Sequence, residues 1–279
     1  MKNFLRILLW IFFILAALCG SVYLFAWKSP PYFVVSTQYD PQDSFIHFKE
    51  YHKYIDHARP FIIEKKNLII FGSTHTRDPL HPEMKIIEEK WQQLKPTIAL
   101  AEGRLGFLLP GFMDPVKNLG EGGKLKRLAS KSRIKIYNWD LSKETLAAQL
   151  RQKFSDEQIA LAQILNPYFS TVRFGKPSSP ESFIKDYLKR AGYVGQKKNF
   201  TSVTDVDRVW KKYFLNEKDW RETSDESELP GYLNEMLIVN NDLRNQQLIA
   251  AAKELLNKGE RVFILCGSSH AFCVSPAFK

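Results

Sequence analysis

An α/β fold, with a central, mainly parallel sheet and helices on both faces, is predicted by three features of the sequence. Two stretches read almost alike: Leu68-Ile69-Ile70-Phe71-Gly72-Ser73-Thr74-His75 and Val262-Phe263-Ile264-Leu265-Cys266-Gly267-Ser268-Ser269-His270, each an apolar run that stops at Gly-Ser-[Thr/Ser]-His. Such unbroken runs have the length and side chains of strands buried on both faces, the habit of parallel sheets. Strand-like and helix-like segments also alternate along the chain. Finally, several strands stop at a polar residue, at the rim where open α/β sheets bind ligands.

The elements follow in order. Strand 68–71 leads through the His75 loop to a helix opened by Pro82, a favoured first-turn residue. Met84, Ile87, Trp91 and Leu94 give that helix one apolar stripe. Pro96 ends it, and Thr97–Ala101 reads as the next strand, stopping at Glu102. This is a compact β-α-β unit, so its strands should be parallel. The glycines after the two apolar runs are expected to supply positive φ, turning the chain sharply off the strand ends. Residues 103–123 are Gly-rich and read as loose, before a short helix and a third strand, 134–137, which stops at Asn138-Trp139-Asp140. Ser142 caps a helix running to about Phe154, and Ser155 with Gln158 forms a capping-box pattern. Residues 166–231 are mostly polar and read as a helical insertion covering the sheet's rim, with a helix opened by Pro180. A long helix from about Leu233 to Asn257, closed by Gly259, feeds the last strand, 261–266.

The N-terminus is of another kind. From Ile7 to Trp27 no residue is charged, and a helix of that length spans about 30 Å, the thickness of a bilayer core. The run exceeds the roughly 7–15 residues of a signal-peptide core and continues past Cys19-Gly20-Ser21, so residues 1–28 read as one uncleaved transmembrane anchor. Lys2 and Arg6 lie on one flank and only Lys28 close on the other. The positive-inside rule then puts the N-terminus in the cytoplasm and the remainder outside it, in the periplasm if the cell is Gram-negative. Residues 29–60 read as a linker with a leading helix, and 61–279 as the α/β domain.

The net charge of +10 is concentrated at Lys117, Lys124, Lys126, Arg127, Lys131, Arg133 and Lys135, opposed there only by Asp114 and Glu121. This run reads as a solvated face, or as one attracted to anionic headgroups. No zinc-finger spacing or RNA-binding signature is present, so nucleic acid is not an expected partner. Three cysteines make no disulfide framework, and Cys266 and Cys273 read as small buried residues. His47, His52 and His57 do not share a helical face and read as surface residues.

If the strands are parallel, His75, Glu102, Asp140 and His270 gather on one edge of the sheet. Arg244 joins them by a separate argument. Leu237, Asn241, Arg244, Leu248, Ala251 and Leu255 form one face at helical period, and an Arg there needs a buried partner or a polar cavity. Two imidazoles and a carboxylate can hold a divalent ion with an open position for water, or act directly as base and acid, with Arg244 stabilising an oxyanion. Ser73 and Ser268 lie beside histidines, but neither sits in a Gly-x-Ser-x-Gly turn. Cys266, as a strand residue, should point into the core.

This ordered set resembles the TraB/Tiki-like family and its wider superfamily with the erythromycin esterases and the ChaN-like haem-binding proteins. Gly72-Ser73-Thr74-His75 matches the first Gly-x-x-His, Glu102 the glutamate ending the next strand, Arg244-Asn245 the Arg on the penultimate helix, and Gly267-Ser268-Ser269-His270 the closing Gly-x-x-His. Two departures stand out: Gly103-Arg104 follows the glutamate where a second acidic residue is common, and Asp140 replaces a glutamate after the third strand. The resemblance implies a site at the carboxyl edge of an α/β sheet and hydrolysis of a peptide or ester bond. His75, Glu102 and His270 would bind a divalent metal or activate water, and Arg244 would orient Glu102. Asp140, Ser73 and Ser268 would stand behind them. A membrane-anchored hydrolase of peptides or small molecules is therefore the leading expectation. The alternatives are a haem-type binding module and a membrane-tethered scaffold acting through 117–135.

Overall fold

The computed structural model describes residues 2–172 and 175–279; for residues 2–5, 7, 8, 18, 19, 21, 24 and 25 it describes the backbone alone. Helix α1, Lys2–Phe25, covers nearly all of the expected span 7–27. Part of that span rests on side chains outside the description, and among the described residues no helix is long and apolar enough to cross a membrane. The large apolar side chains described on α1, among them Trp10, Phe12, Phe13 and Tyr23, are exposed.

The chain divides into two compact units. The first takes the chain up to Ile46, then Tyr54–Asp140 and Gln247–Lys279; the second takes His47–Lys53 and Leu141–Gln246. The first unit is built on strands β1 Phe61–Lys65, β2 Leu68–Ser73, β3 Ile98–Ala101, β4 Lys135–Asn138 and β5 Val262–Gly267. They form one sheet in the order β1-β2-β5-β3-β4. β2, β5, β3 and β4 run parallel, as their apolar runs predict, and β1 is antiparallel to β2. β1 was not anticipated. It joins β2 through the two-residue turn Lys66-Asn67, with Lys65 paired to Leu68, and its Phe61-Ile62-Ile63 is a short strand signal beside a hairpin turn. The expected β-α-β unit is present in chain order, yet its strands are not neighbours, because β5 lies between them.

Alternation along the strands explains the two covered faces. Ile69, Phe71, Ala99, Ala101, Phe263 and Leu265 face helix α2 (Glu83–Leu94) and helix α3 (Pro115–Ser132). All four residues of the expected α2 stripe are buried there. Leu68, Ile70, Leu100, Val262 and Ile264 face the other way, onto Leu248, Ala251, Ala252 and Leu255 of helix α8 (Tyr232–Asn257) and onto Ala271 and Val274 of helix α9 (Ser268–Val274).

Three expectations about glycine and charge need correction. Neither Gly72 nor Gly267 takes a positive φ; both are strand residues, and the left-handed residue of the first motif is His75 itself, with φ 64°. The stretch 103–123 is not loose throughout. Asp114 accepts hydrogen bonds from the Val116 and Lys117 amides and starts α3 at Pro115, with a kink at Gly120. Gly103, Gly106, Gly111 and Gly120 supply positive φ, whereas Gly122 and Gly123 serve packing: a Cβ there would collide with Leu105 or with the Pro115 carbonyl. The basic run is not one solvated face either. Lys124 is buried against Glu88, and Lys126 is buried and donates to the Lys28 carbonyl. Burial lowers the Lys126 pKa.

Residues 31–37 strap the β4 edge. The Phe33 amide donates to Asn138 O at 2.7 Å, and the Asn138 amide donates to Pro31 O at 2.8 Å. The strap is held on its other side by α8: Gln247 Nε2 donates to Phe33 O at 3.2 Å, and Glu254 Oε2 accepts the Ser36 amide at 2.7 Å.

The second unit has its own core. It contains helices α4 Lys143–Leu150, α5 Asp156–Val172, α6 Pro180–Lys185 and α7 Val203–Tyr213, the first half of α8, and short 3-10 turns. Ser142 caps α4, and Ser155 exchanges hydrogen bonds with Gln158 at the start of α5, as read from the sequence. Tyr168, Phe169, Trp210 and Trp220 are fully or nearly fully buried in this core. The Arg221 guanidinium beside them is shared by Glu181, Asp207 and Asp219.

Glu254 supplies a pH test of the strap. Burial alone would raise its carboxyl pKa, but Lys258 and the Ser36 and Thr37 donors outweigh that and hold it at about 2, below the usual 4.5. A depressed carboxyl pKa stabilises the fold above the unfolded value, and that contribution fades as pH falls from about 4.5 towards 2. It amounts to on the order of 3 kcal/mol. Urea titrations should show wild type losing stability over that window more steeply than Glu254→Gln.

Candidate functional site

β2, β5 and β3 end side by side: Ser73 pairs with Gly267, and Ala101 with Leu265. Glu102, the next residue after β3, turns its carboxylate across the end of β5, where Oε2 accepts the Gly267 amide at 2.6 Å. The other oxygen, Oε1, lies 3.8 Å from Nε2 of His270 on α9. His75 closes in from the β2 side. A Cβ built on Gly267 would lie 2.7 Å from His75 Nε2 and 3.6 Å from Glu102 Oε2. Histidines from opposite ends of the chain thus converge on one glutamate, and the closing motif needs glycine for space rather than for φ.

His75 sits in a backbone conformation that costs a β-carbon-bearing residue about 1–2 kcal/mol. Two buried glutamates hold the chain on either side of it. Glu83, 2% exposed, accepts the Thr74 amide at 3.2 Å; Glu121, 6% exposed, accepts the Thr76 amide. Neither was singled out from the sequence. Signals existed: Glu83 lies four residues before Ile87 on the apolar stripe of α2, and Glu121 is a lone charge among Gly120, Gly122 and Gly123.

Two cavities of about 280 Å³ each open at this edge and share His75, Arg104, Leu105, Leu119 and Glu121 as lining. One extends to Ser73, Glu102 and Cys266. The other extends to Arg77 and Asn118. His75 is exposed at them, whereas His270 is buried behind Glu102, with the Trp139 ring edge-on to it at 5.5 Å. Trp139 also donates from Nε1 to Leu265 O at 3.2 Å, so a residue the sequence reading passed over props both β5 and His270.

The remaining expected residues are placed as follows. Asp140 is half-buried beyond β4, its amide bonded to Asn138 Oδ1 at 2.9 Å, and it lines neither cavity. Ser73 is buried and its hydroxyl donates to Cys266 O at 3.3 Å. Ser268 is buried at the start of α9. Arg244 lies in the second unit, half-buried, with Nη1 3.5 Å from Asn241 Oδ1.

In kind, two imidazoles and a carboxylate suit a divalent ion. Among the described residues no group of three or more His, Cys, Asp or Glu is placed to hold one. One Glu102 oxygen is, moreover, engaged by the Gly267 amide.

Comparison with known proteins returns no match: no family model fits the chain, and neither a curated protein nor a solved structure matches it.

The two motif glycines should respond differently to alanine. At Gly72 the new Cβ meets the Ser268 Cα at 2.8 Å and the Phe61 carbonyl at 2.9 Å, so Gly72→Ala should lose about 1–3 kcal/mol of stability. At Gly267 it meets chiefly the tip of His75. Gly267→Ala should therefore nearly keep the thermal midpoint while shifting the His75 imidazole resonances in nitrogen-correlated spectra.

Proposed function

We propose that this chain is a membrane-anchored, extracytoplasmic hydrolase of the TraB/Tiki-like type, acting on a peptide or ester bond. The observation that carries the reading is the Glu102 carboxylate set between His75 and His270 at the mouth of the carboxyl-edge cavities. The exposed apolar side chains of α1 support the anchor at residues 7–27, and the flanking Lys2 and Arg6 support a cytoplasmic N-terminus.

In this reading Glu102 is the general base. Its Oε2 is fixed by the Gly267 amide, which leaves Oε1 to take a proton from water attacking a carbonyl carbon. His270, 3.8 Å away, is a positioning residue, at a separation that tightens in many sites once substrate is bound. His75, exposed in both cavities, hands a proton to the leaving oxygen or nitrogen as the tetrahedral adduct collapses. Arg104, which lines both cavities, faces the negative charge that develops on the carbonyl oxygen.

Glu102→Gln keeps an oxygen to accept the Gly267 amide but removes the base. The test uses purified full chain in detergent, with activated acyl esters and an internally quenched peptide library. Wild type should hydrolyse one class, and Glu102→Gln should lose about 10²–10⁴-fold in kcat. Equal rates in the two proteins would sink the assignment. Chelation by EDTA should leave wild-type activity unchanged; loss on chelation with recovery on added Zn²⁺ or Mn²⁺ would turn His75, Glu102 and His270 into metal ligands instead.

A further inference from the structure

The loop that follows Arg104 presents large apolar side chains to solvent. Phe107 is 53% and Phe112 91% exposed, while Leu105 and Leu108 between and before them are buried. This is not a frayed segment. The Phe112 and Met113 amides donate to Leu109 O at 3.2 and 3.0 Å, closing a turn that carries Phe112, and Phe107 is next to Leu108, which is bridged to Trp27. A fixed loop that spends two phenylalanines on the surface marks an interaction site.

What it would meet is set by its partner within the same unit, the chain leaving α1. The Trp27 amide donates to Leu108 O at 2.7 Å and the Leu108 amide returns a bond to Trp27 O at 3.3 Å, an antiparallel bridge. Ser29 Oγ accepts the Gly106 amide at 3.0 Å. Beneath them the buried Lys126 donates to Lys28 O and lies 5.6 Å from the Trp27 ring. At the end of α1 Lys28 sits over the Tyr23 ring at 3.9 Å. Tyr and Trp beside a Lys at the end of an apolar helix are the side chains that favour the headgroup level of a bilayer. A loop pinned to that point by three hydrogen bonds shares its depth.

From this geometry we infer that residues 105–113 are a membrane-docking loop, with Phe107 and Phe112 inserted among lipid headgroups beside the exit of α1. The inference rests on the anchor reading of residues 7–27 and is independent of the hydrolytic one. Because Arg104 and Leu105 line both cavities, docking sets the mouth of the site at the lipid surface.

The experiment places an environment-sensitive fluorophore at position 112 of the full chain. It uses Cys19→Ser with Phe112→Cys; Cys266 and Cys273 are buried, so the label goes to the exposed site. The protein is reconstituted with vesicles of phosphatidylcholine and phosphatidylglycerol, and vesicle association is read separately by flotation. The expected result is flotation with a blue-shifted emission that spin-labelled lipid quenches. Flotation with water-like, unquenched emission overturns the docking loop and leaves the anchor standing. Failure to float overturns the anchor, and the loop proposal with it.

Discussion

A single hydrogen bond, from the Gly267 amide to the Glu102 carboxylate, joins the ends of neighbouring parallel strands on which the site is assembled. Without such a donor the carboxylate would be half-desolvated and unoriented, and a charge in that state is costly. The bond exists because β5, from the far end of the chain, enters the sheet between β2 and β3. Chain order would set β2 and β3 side by side. The inserted strand instead puts Gly267 between the His75 loop and Glu102, and starts α9 so that His270 falls on the other carboxylate oxygen. Insertion of one strand thus decides which residues meet.

Close approach is marked at that edge. Gly72 and Gly267 leave room for the Ser268 backbone and the His75 ring, and Gly122 and Gly123 let the kinked α3 close on Leu105 and Pro115. Of the described non-glycine residues with positive φ, Lys95 and Arg133 end helices, whereas His75 sits at the strand ends, its neighbours Thr74 and Thr76 donating their amides to Glu83 and Glu121 from two different helices. Strain of this kind persists only where surrounding structure over-determines it, and it clusters at functional sites.

The β4 edge of the sheet is partly covered by the chain itself. β1 closes the β2 side as an antiparallel edge strand, and on the other side the strap pairs with the end of β4 at Asn138. Open edges invite pairing with other chains, so the strap protects the sheet while it fixes the path from α1 to the domain. Lys126 and the Trp27–Leu108 bridge fasten the same path at its start. The connection between helix and sheet is therefore a built joint rather than a slack linker.

Hydrophobic periodicity and capping chemistry are local, and here the amino-acid sequence was a sufficient guide. The buried runs at 68–71 and 262–266, the α2 stripe, the Ser142 cap and the Ser155–Gln158 box all stand where side-chain pattern put them. The gathering of His75, Glu102 and His270 followed from parallel strands ending in polar residues. Other features depended on contacts between segments remote in sequence. Glycines cannot announce whether they serve φ or space, so the role of Gly72, Gly267 and Gly123 emerged only when their neighbours were in place. Glu83, Glu121 and Trp139 carry no motif, because what makes them matter is the amide, loop or ring that folding brings to them. The sequence by itself determined the four parallel strands, the helices with a clear stripe or cap, and which polar residues lie at the strand ends. Tertiary structure alone decided the order of the strands, and with it the partner of each of those residues, because long-range pairing is a property of the whole sheet and not of any one segment.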